Sequence, residues 1–202
     1  MWLRSIFWLI NMGNINYFIH NCSISVAEGK DCIEHINRLI TSNIKLISDF
    51  ESIDTLICNA NGRITDSLQI LRIKEQLLIL GNFEVAENTR KLIVSGIHWN
   101  EDVRIMNGDE ILSKITIIGN EEDLHEIIPE RYRVSNDNQW LDWKENYFTV
   151  SKYKEIIKID IIIKTNQIDS FIIENFGPDC NRLGIDEWID FRISNGILSF
   201  DE

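Results

Sequence analysis

Residues 155–165 read EIIKIDIIIKT, and this segment decides the fold class of the chain. A dense run of isoleucines broken by single charged residues is typical of a β-strand. Similar runs alternate with polar turns through the second half: ILSKITII, EIIPERYRV, NYFTV, DSFIIENF, WIDFRIS and ILSFDE. Asn195 and Gly196 supply the positive φ angles of a tight hairpin between the last two runs. With a second hairpin at 166–167, the pattern predicts a mainly antiparallel C-terminal sheet.

The first half of the chain shows helical spacing. A helix is predicted from about Asp31 to about Asp49, because isoleucines recur there every three or four residues. They are Ile33, Ile36, Ile40, Ile44 and Ile47. Two more helices are predicted, over residues 66–80 and 82–96, because Gly81 between them is a good helix stop. Together these two helices would form an αα-hairpin.

These elements predict an α+β fold. A strand over 15–26 and the helices would pack on the C-terminal, mainly antiparallel sheet. The length of 202 residues suits one large domain or two small ones. We predict a single α+β domain over 1–202, with a helical part at about 27–96 and a sheet-rich part at about 97–202.

The charge of the chain is acidic and unevenly placed. The net charge is −12, and residues 101–202 hold eleven Lys and Arg against twenty-two Asp and Glu. Such a surface repels nucleic acid, because nucleic-acid binding needs cationic side chains. It attracts basic partners and speeds their encounter. The alternative interpretation is that the charge only keeps the protein in solution.

The cysteines and the first residues indicate a cytoplasmic protein. Four scattered cysteines without a Cys-x-x-Cys pair are typical of reduced, mostly buried thiols. The apolar run at 6–10 is too short for a signal peptide or a membrane span. We interpret it as a strand or short helix on the core, with a membrane role as the alternative. Met12 is an alternative start of the protein.

Two histidines and two cysteines lie close together in the sequence, at His20, Cys22, Cys32 and His35. These residue types can hold zinc in a closed tetrahedral site. The isoleucine stripe, however, sets the buried direction of the predicted helix and turns His35 toward water. We therefore predict that no metal is bound, that the cysteines lie in the core and that the histidines lie on the surface. The alternative is a zinc site.

No sequence motif nominates an active site. The nucleophile elbow, the phosphate loop and the dinucleotide fingerprint are all missing from the sequence. Glu155, Lys158, Asp160 and Lys164 resemble the carboxylates and lysine of a magnesium-dependent nuclease strand. On a strand Lys158, Asp160 and Lys164 share one face and Glu155 lies on the other, and a short surface ladder of charges explains the three equally well. We predict that the protein is not an enzyme and needs no cofactor.

The segment NDNQWLDWKENYF, residues 136–148, combines tryptophans with carboxylates. Tryptophans supply large contact areas at interfaces, and carboxylates around them would meet a basic partner. The alternative is that the tryptophans anchor the sheet to the helices. A second acidic group surrounds Trp188. The predicted partner-binding residues are Asp137, Trp140, Asp142, Trp143, Glu145, Asp186, Glu187 and Asp190.

The acidic net charge and the lack of catalytic sequence motifs together predict an acidic cytoplasmic binding protein that neutralises a basic protein. We interpret it as a bacterial immunity protein that inhibits a nuclease-type toxin, with no nucleic-acid or membrane partner. One alternative is an enzyme with an unrecognised site, such as a metal-dependent nuclease. Another is a structural or regulatory interaction module.

Overall fold

The computed structural model describes residues 15–125, 138–143, 145–153 and 155–197. The chain divides into two compact units, and each is described by itself. In the described residues, unit 1 consists of 15–20, 114–125 and 141–197, and unit 2 consists of 21–113 and 138–140. The predicted boundary near residue 97 does not coincide with these divisions; the single domain stays a prediction.

In the described part of unit 2, the chain forms a five-stranded sheet and two α-helices. Its strands are β2 (Cys22–Glu28), β3 (Ser52–Cys58), β4 (Ile64–Ile73), β5 (Gln76–Asn82) and β6 (Arg104–Asn107). Its helices are α1 (Cys32–Leu39) and α2 (Ala86–Ser95). The strand order is β3-β4-β5-β2-β6, and all neighbouring strands are antiparallel.

The described residues of unit 1 form a six-stranded sheet and three α-helices. Its strands are β1 (Ile15–Ile19), β7 (Leu112–Asn120), β8 (Leu141–Trp143), β9 (Asn146–Tyr153), β10 (Ile156–Lys164) and β11 (Asn181–Arg182). Its helices are α3 (Glu121–His125), α4 (Ile168–Phe176) and α5 (Ile185–Asn195). The strand order is β11-β1-β7-β10-β9-β8. The predicted α+β class is confirmed, with mostly antiparallel sheets.

The predicted αα-hairpin is wrong. Residues 64–82 form the antiparallel hairpin of β4 and β5 instead. Asp66, Leu68 and Ile70 are buried at every second position, which is the period of a strand and not of a helix. Lys74 adopts a φ of 55° in the turn, a conformation usually associated with glycine.

The helix predicted over 31–49 is shorter in the structure. It ends at Leu39, and Ile40 is already in extended conformation. The isoleucine stripe nevertheless faces inward, since Ile36 and Ile44 are fully buried. The core of unit 2 lies between one face of its sheet and helices α1 and α2, with Leu68, Ile70, Leu77 and Ile79 from the sheet.

Two segments predicted as strands are helices. Residues 168–176 form α4, and residues 185–195 form α5. The Asn195-Gly196 pair ends α5 and does not make a hairpin: Gly196 adopts the left-handed conformation, with its N–H donating to carbonyls of Arg192 and Ile193. The strand predicted at 155–165 is confirmed as β10. The predictions at 6–10 and 198–202 and for the run at 126–134 lie outside the described residues.

Helices α4 and α5 cover opposite faces of the unit 1 sheet. Isoleucines 157, 159, 161 and 163 of β10 belong to a core with Phe171, Ile172 and Phe176 of α4. On the other face, Phe18 and Ile118 pack with Trp188 and Phe191 of α5. The even-numbered residues of β10 therefore lie on the α5 face. In the described ranges, no helix is long and apolar enough to cross a bilayer.

Candidate functional site

A buried ion pair lies on the α5 face of the unit 1 sheet. Lys158 and Asp160 are neighbours on this face of β10, and Lys158 Nζ lies 2.9 Å from Asp160 Oδ2. Burial opposes ionisation of Asp160, but the charges of Lys158, Lys114 and His20 and a hydrogen bond from Thr116 outweigh it. The pKa of Asp160 is consequently below its ordinary value. The site therefore has an ionised carboxylate at its centre.

A hydrogen-bonded chain extends from this carboxylate to a histidine. Thr116 Oγ1, on β7, donates to Asp160 Oδ1 over 2.5 Å. Nε2 of His20, the residue after β1, lies 2.7 Å from Thr116 Oγ1. All three side chains are buried. Residues that are far apart in sequence thus form one polar cluster, which we call the His20–Asp160 chain.

Aromatic side chains enclose the histidine end of the His20–Asp160 chain. The His20 ring makes edge contacts with Phe18 and Trp188, with ring centres 5.0 and 5.3 Å apart. Trp188 stacks on Phe18 at 5.0 Å, and the Arg192 guanidinium lies 5.9 Å from the Trp188 ring centre. The polar chain is therefore bordered by apolar surface, where its electrostatic interactions are stronger than in water.

The interpretation of Lys158, Asp160 and Lys164 as a surface ladder is wrong for two of these three residues. Lys158 and Asp160 are largely covered, because residues 185–195 form a helix over this face of the sheet. Lys164, by contrast, is half-exposed and lies 3.6 Å from a carboxylate oxygen of the exposed Glu145. Glu155 is also exposed.

Unit 2 contains a second buried carboxylate, at Asp66. Its Oδ1 accepts hydrogen bonds from the N–H groups of Ser67 and Asn82, at 2.8 and 3.1 Å. Its Oδ2 accepts one from Thr89 Oγ1 at 2.8 Å. Three donors from β4, β5 and α2 therefore satisfy this carboxylate inside the unit.

A charged pair on the surface of unit 2 borders a shallow hollow. The Arg90 guanidinium holds both carboxylate oxygens of Asp109 at 2.5 Å, and Arg90 Nε donates to Ser25 Oγ over 2.9 Å. Asp109 also accepts a hydrogen bond from the Ile24 N–H at 2.7 Å. The open hollow is lined by Glu87, Arg90, Lys91, Val94, Ser95 and Asn107. Arg90 is thus fixed by its partners and not directed at a ligand.

The prediction that the histidines near the first cysteines face water is wrong. His35 is fully buried and His20 is 8% exposed. His35 Nε2 donates to the Ile93 carbonyl over 3.0 Å, and Arg38 donates to His35 Nδ1 over 3.1 Å. Burial lowers the pKa of His35. Because both ring nitrogens have partners in unit 2, His35 can lie in the core without a metal ion.

The cysteines are reduced thiols in the structure. None of the four forms a disulfide. Cys32 is buried, and its Sγ donates to the Glu75 carbonyl over 3.4 Å. Across the described residues, no group of three or more His, Cys, Asp or Glu side chains is arranged to hold a metal ion.

The two tryptophans of the predicted binding segment pack into the cores. Trp140 is 1% exposed in unit 2, and its Nε1 donates to Ser52 Oγ over 3.0 Å. Trp143 is half-buried in unit 1 and makes edge contacts with Phe148, Phe171 and Phe176. Both side chains thus have packing roles within their own units.

The predicted acidic binding residues are exposed where they can be described. Asp142 and Glu145 border the turn between β8 and β9, and Glu145 has a φ of 67°. Asp186, Glu187 and Asp190 lie on the exposed side of α5. Glu187 accepts a hydrogen bond from the Gly184 N–H at the start of this helix, at 2.8 Å. Asp137 lies outside the described residues, and a binding role for these side chains stays a prediction.

Comparisons with known proteins show which fold the chain resembles. The structure of glycine cleavage system aminomethyltransferase T from Bartonella henselae matches 95% of this chain, with a TM-score of 0.75 and 13% identity. The fold of this chain is therefore that of about half of this aminomethyltransferase structure. The aminomethyltransferase of Thermotoga neapolitana is 22% identical over 105 residues, which are 51% of this chain. No protein-family model matches the chain.

The likeness covers only part of these enzymes. This chain spans 54% of the Bartonella henselae structure, and the aligned segment is 29% of the Thermotoga neapolitana enzyme. Heterotetrameric sarcosine oxidase from Corynebacterium sp. U-96 matches 78% of this chain and 80% of its own, at 5% identity and a TM-score of 0.49. That score is too low to support a common fold.

The predicted function is wrong. The aminomethyltransferase fold and the sequence likeness contradict an immunity protein or toxin inhibitor. They also contradict a basic toxin as the partner. The error arose because net charge reports on solubility and association but not on fold. The residues of the His20–Asp160 chain are far apart in the sequence, so no local motif indicates them.

Proposed function

We propose that this chain is an aminomethyltransferase-like protein that binds a ligand bearing an aminomethyl group and does not complete a transfer reaction by itself. The observation that carries the proposal is the sequence likeness to the aminomethyltransferase of Thermotoga neapolitana. Since this chain spans about half of the aminomethyltransferase structure that it matches, the activity of the whole enzyme is not carried over to it.

The His20–Asp160 chain supports an amine as the ligand class. Protonated amines are bound in proteins by carboxylates and by the faces of aromatic rings. Unit 1 brings the ionised Asp160 and the rings of Phe18, Trp188 and Phe191 to one face of its sheet. The proposed site is this face, which α5 covers in the structure, so ligand binding requires a displacement of α5.

The buried carboxylates Asp160 and Asp66 already have partners within the protein, which supports ligand binding without catalytic turnover. A general base works best when its pKa lies near the operating pH. Asp160 has a lowered pKa and is bound by Lys158 and Thr116, which makes it a weak base. Asp66 is bound by three donors. The predicted absence of enzymatic activity and the cytoplasmic location are retained as part of this proposal.

The experiment compares this chain with the Thermotoga neapolitana enzyme, using the substrates on which that enzyme is active. We expect the aminomethyl-bearing substrate to shift NMR signals of Phe18, His20 and Trp188, with no transfer above the rate without protein. The variant Lys164→Met serves as a control, because Lys164 lies at the exposed end of β10. Transfer at a rate near that of the reference enzyme would overturn the non-enzymatic part, and absence of binding would overturn the ligand class.

A further inference from the structure

We propose that Thr116 is the positioning residue of the His20–Asp160 chain: it holds the ring proton of His20 on Nε2, so that His20 gains and loses protons only at Nδ1. This inference concerns the cluster used in the proposed function. It does not depend on any ligand, and it can therefore fail or hold independently of ligand binding.

The direction of the hydrogen bonds follows from counting protons. Asp160 is ionised, with Lys158 2.9 Å from one of its oxygens, so it can only accept hydrogen bonds. The single hydroxyl proton of Thr116 therefore points at Asp160 Oδ1. The Thr116 oxygen is left as an acceptor toward His20, which lies 2.7 Å away. Hence Nε2 of His20 must carry the proton that it donates to Thr116.

The backbone and the aromatic contacts hold the partners in this arrangement. The His20 N–H donates to the Lys114 carbonyl over 2.9 Å, which ties the residue after β1 to the start of β7. Thr116 is fully buried, and β-branched side chains have restricted χ1 rotation. The edges of Phe18 and Trp188 border the imidazole. The ring plane and the hydroxyl are thus fixed by separate parts of unit 1.

Charged side chains from three elements surround the His20–Asp160 chain. Lys114 on β7 and Lys158 on β10 lie near Asp160, and Arg192 on α5 lies over Trp188. The hydrogen bond to Thr116 involves Nε2 of His20 alone, and it therefore distinguishes the two ring nitrogens.

NMR of the full chain labelled with nitrogen-15 tests the inference. Long-range proton–nitrogen correlation identifies the protonated nitrogen of His20, after the other histidine signals have been assigned by single replacement with glutamine. We expect protonated Nε2 at every pH at which the protein is folded, with the titration seen at Nδ1. A neutral His20 ring with its proton on Nδ1 would overturn the proposal from the wild-type protein alone.

Two variants test the positioning role of Thr116. Thr116→Val keeps the branched shape but removes the acceptor, and we expect exchange of the Nε2 proton with water to become about tenfold faster, the factor for losing one hydrogen bond. Thr116→Ser keeps the hydroxyl, and its exchange rate should stay near that of the wild type. Folded Thr116→Val with wild-type exchange and nitrogen shifts would show that Thr116 only fills space.

Discussion

The carboxylate of Asp66 occupies the space that a side chain at position 81 would need. A Cβ built on Gly81 would lie 2.7 Å from Asp66 Oδ2 and 2.8 Å from Leu68 Cδ2. The two residues lie on neighbouring strands, β4 and β5. Position 81 therefore has no room for a side chain. Because glycine has none, the Asp66 carboxylate can reach its three hydrogen-bond donors.

Replacing Gly81 by alanine should destabilise the protein. The new methyl group must displace the Asp66 carboxylate or the end of Leu68, and overpacking of this kind costs about 1–3 kcal/mol. Urea denaturation at neutral pH measures the change. A double-mutant cycle with Asp66→Ala provides the control, because the alanine cost should shrink once the carboxylate is gone. Full additivity would contradict a direct steric conflict.

Replacing Lys158 by methionine should destabilise the protein by about 3–5 kcal/mol, because it leaves a buried carboxylate without its cation. This expectation rests on the ion pair: Lys158 Nζ lies 2.9 Å from Asp160 Oδ2, and both side chains are largely covered. The exposed Lys164 offers a matched control, and Lys164→Met should change the free energy of unfolding by less than about 1 kcal/mol. Equal effects of the two variants would show that the Lys158 pair is not shielded from water.

The carboxyl group of Glu101 should titrate far below an ordinary glutamate. Hydrogen bonds from Arg38 and from the His98 N–H lower its pKa to about 2. A lowered pKa stabilises the folded state above the ordinary value of about 4.3, and this stabilisation is lost as the pH falls toward 2. Carbon-13 NMR of the carboxyl group measures the titration.

Arg38→Met should raise the pKa of Glu101 toward the ordinary value, since it removes the stronger donor. Lys45→Met breaks the exposed pair between Lys45 and Glu34 and should leave the Glu101 titration unchanged. A Glu101 pKa that is the same in wild type and Arg38→Met would contradict the assignment of the shift to Arg38.

Two tryptophans of unit 2 should differ in how much stability is lost when each is replaced by phenylalanine. Trp140 is 1% exposed and donates to the buried Ser52 hydroxyl, so Trp140→Phe should cost about 1–3 kcal/mol for the lost hydrogen bond and the cavity. Trp99 is 97% exposed, and Trp99→Phe should stay within about 0.5 kcal/mol. Thermal unfolding of both variants checks the contrast. A neutral Trp140→Phe would argue against the indole hydrogen bond.

The residue pattern predicts the strands of unit 1 well where a strand is buried on both faces. Residues 156–164 are such a case, because isoleucines fill one face and largely covered side chains fill the other. Helices α4 and α5 were missed because their short isoleucine-rich segments favour strands locally. Packing over a sheet outweighs that preference in the folded protein. Residues 64–73 also show the strand period of two, which the helix predicted there does not account for.

The candidate site could not be predicted from local spacing. His20 and Thr116 are 96 residues apart, and Thr116 and Asp160 are 44 apart. Only the order of strands in the sheet brings β1, β7 and β10 together. Lys158 and Asp160 were noticed in the sequence, but their burial depends on a helix that the sequence did not predict.

The place of unit 2 within the chain has a consequence for synthesis on the ribosome. Strand β1 pairs with β7, and residues 21–113 of unit 2 lie between them in sequence. Most of unit 2 therefore emerges before β1 has a neighbour, and long-range strand pairing of this kind is slow. Asn16 and Phe18, both buried in the finished sheet, stay exposed during that interval. The nascent chain is thus prone to association with other chains at β1 during that interval.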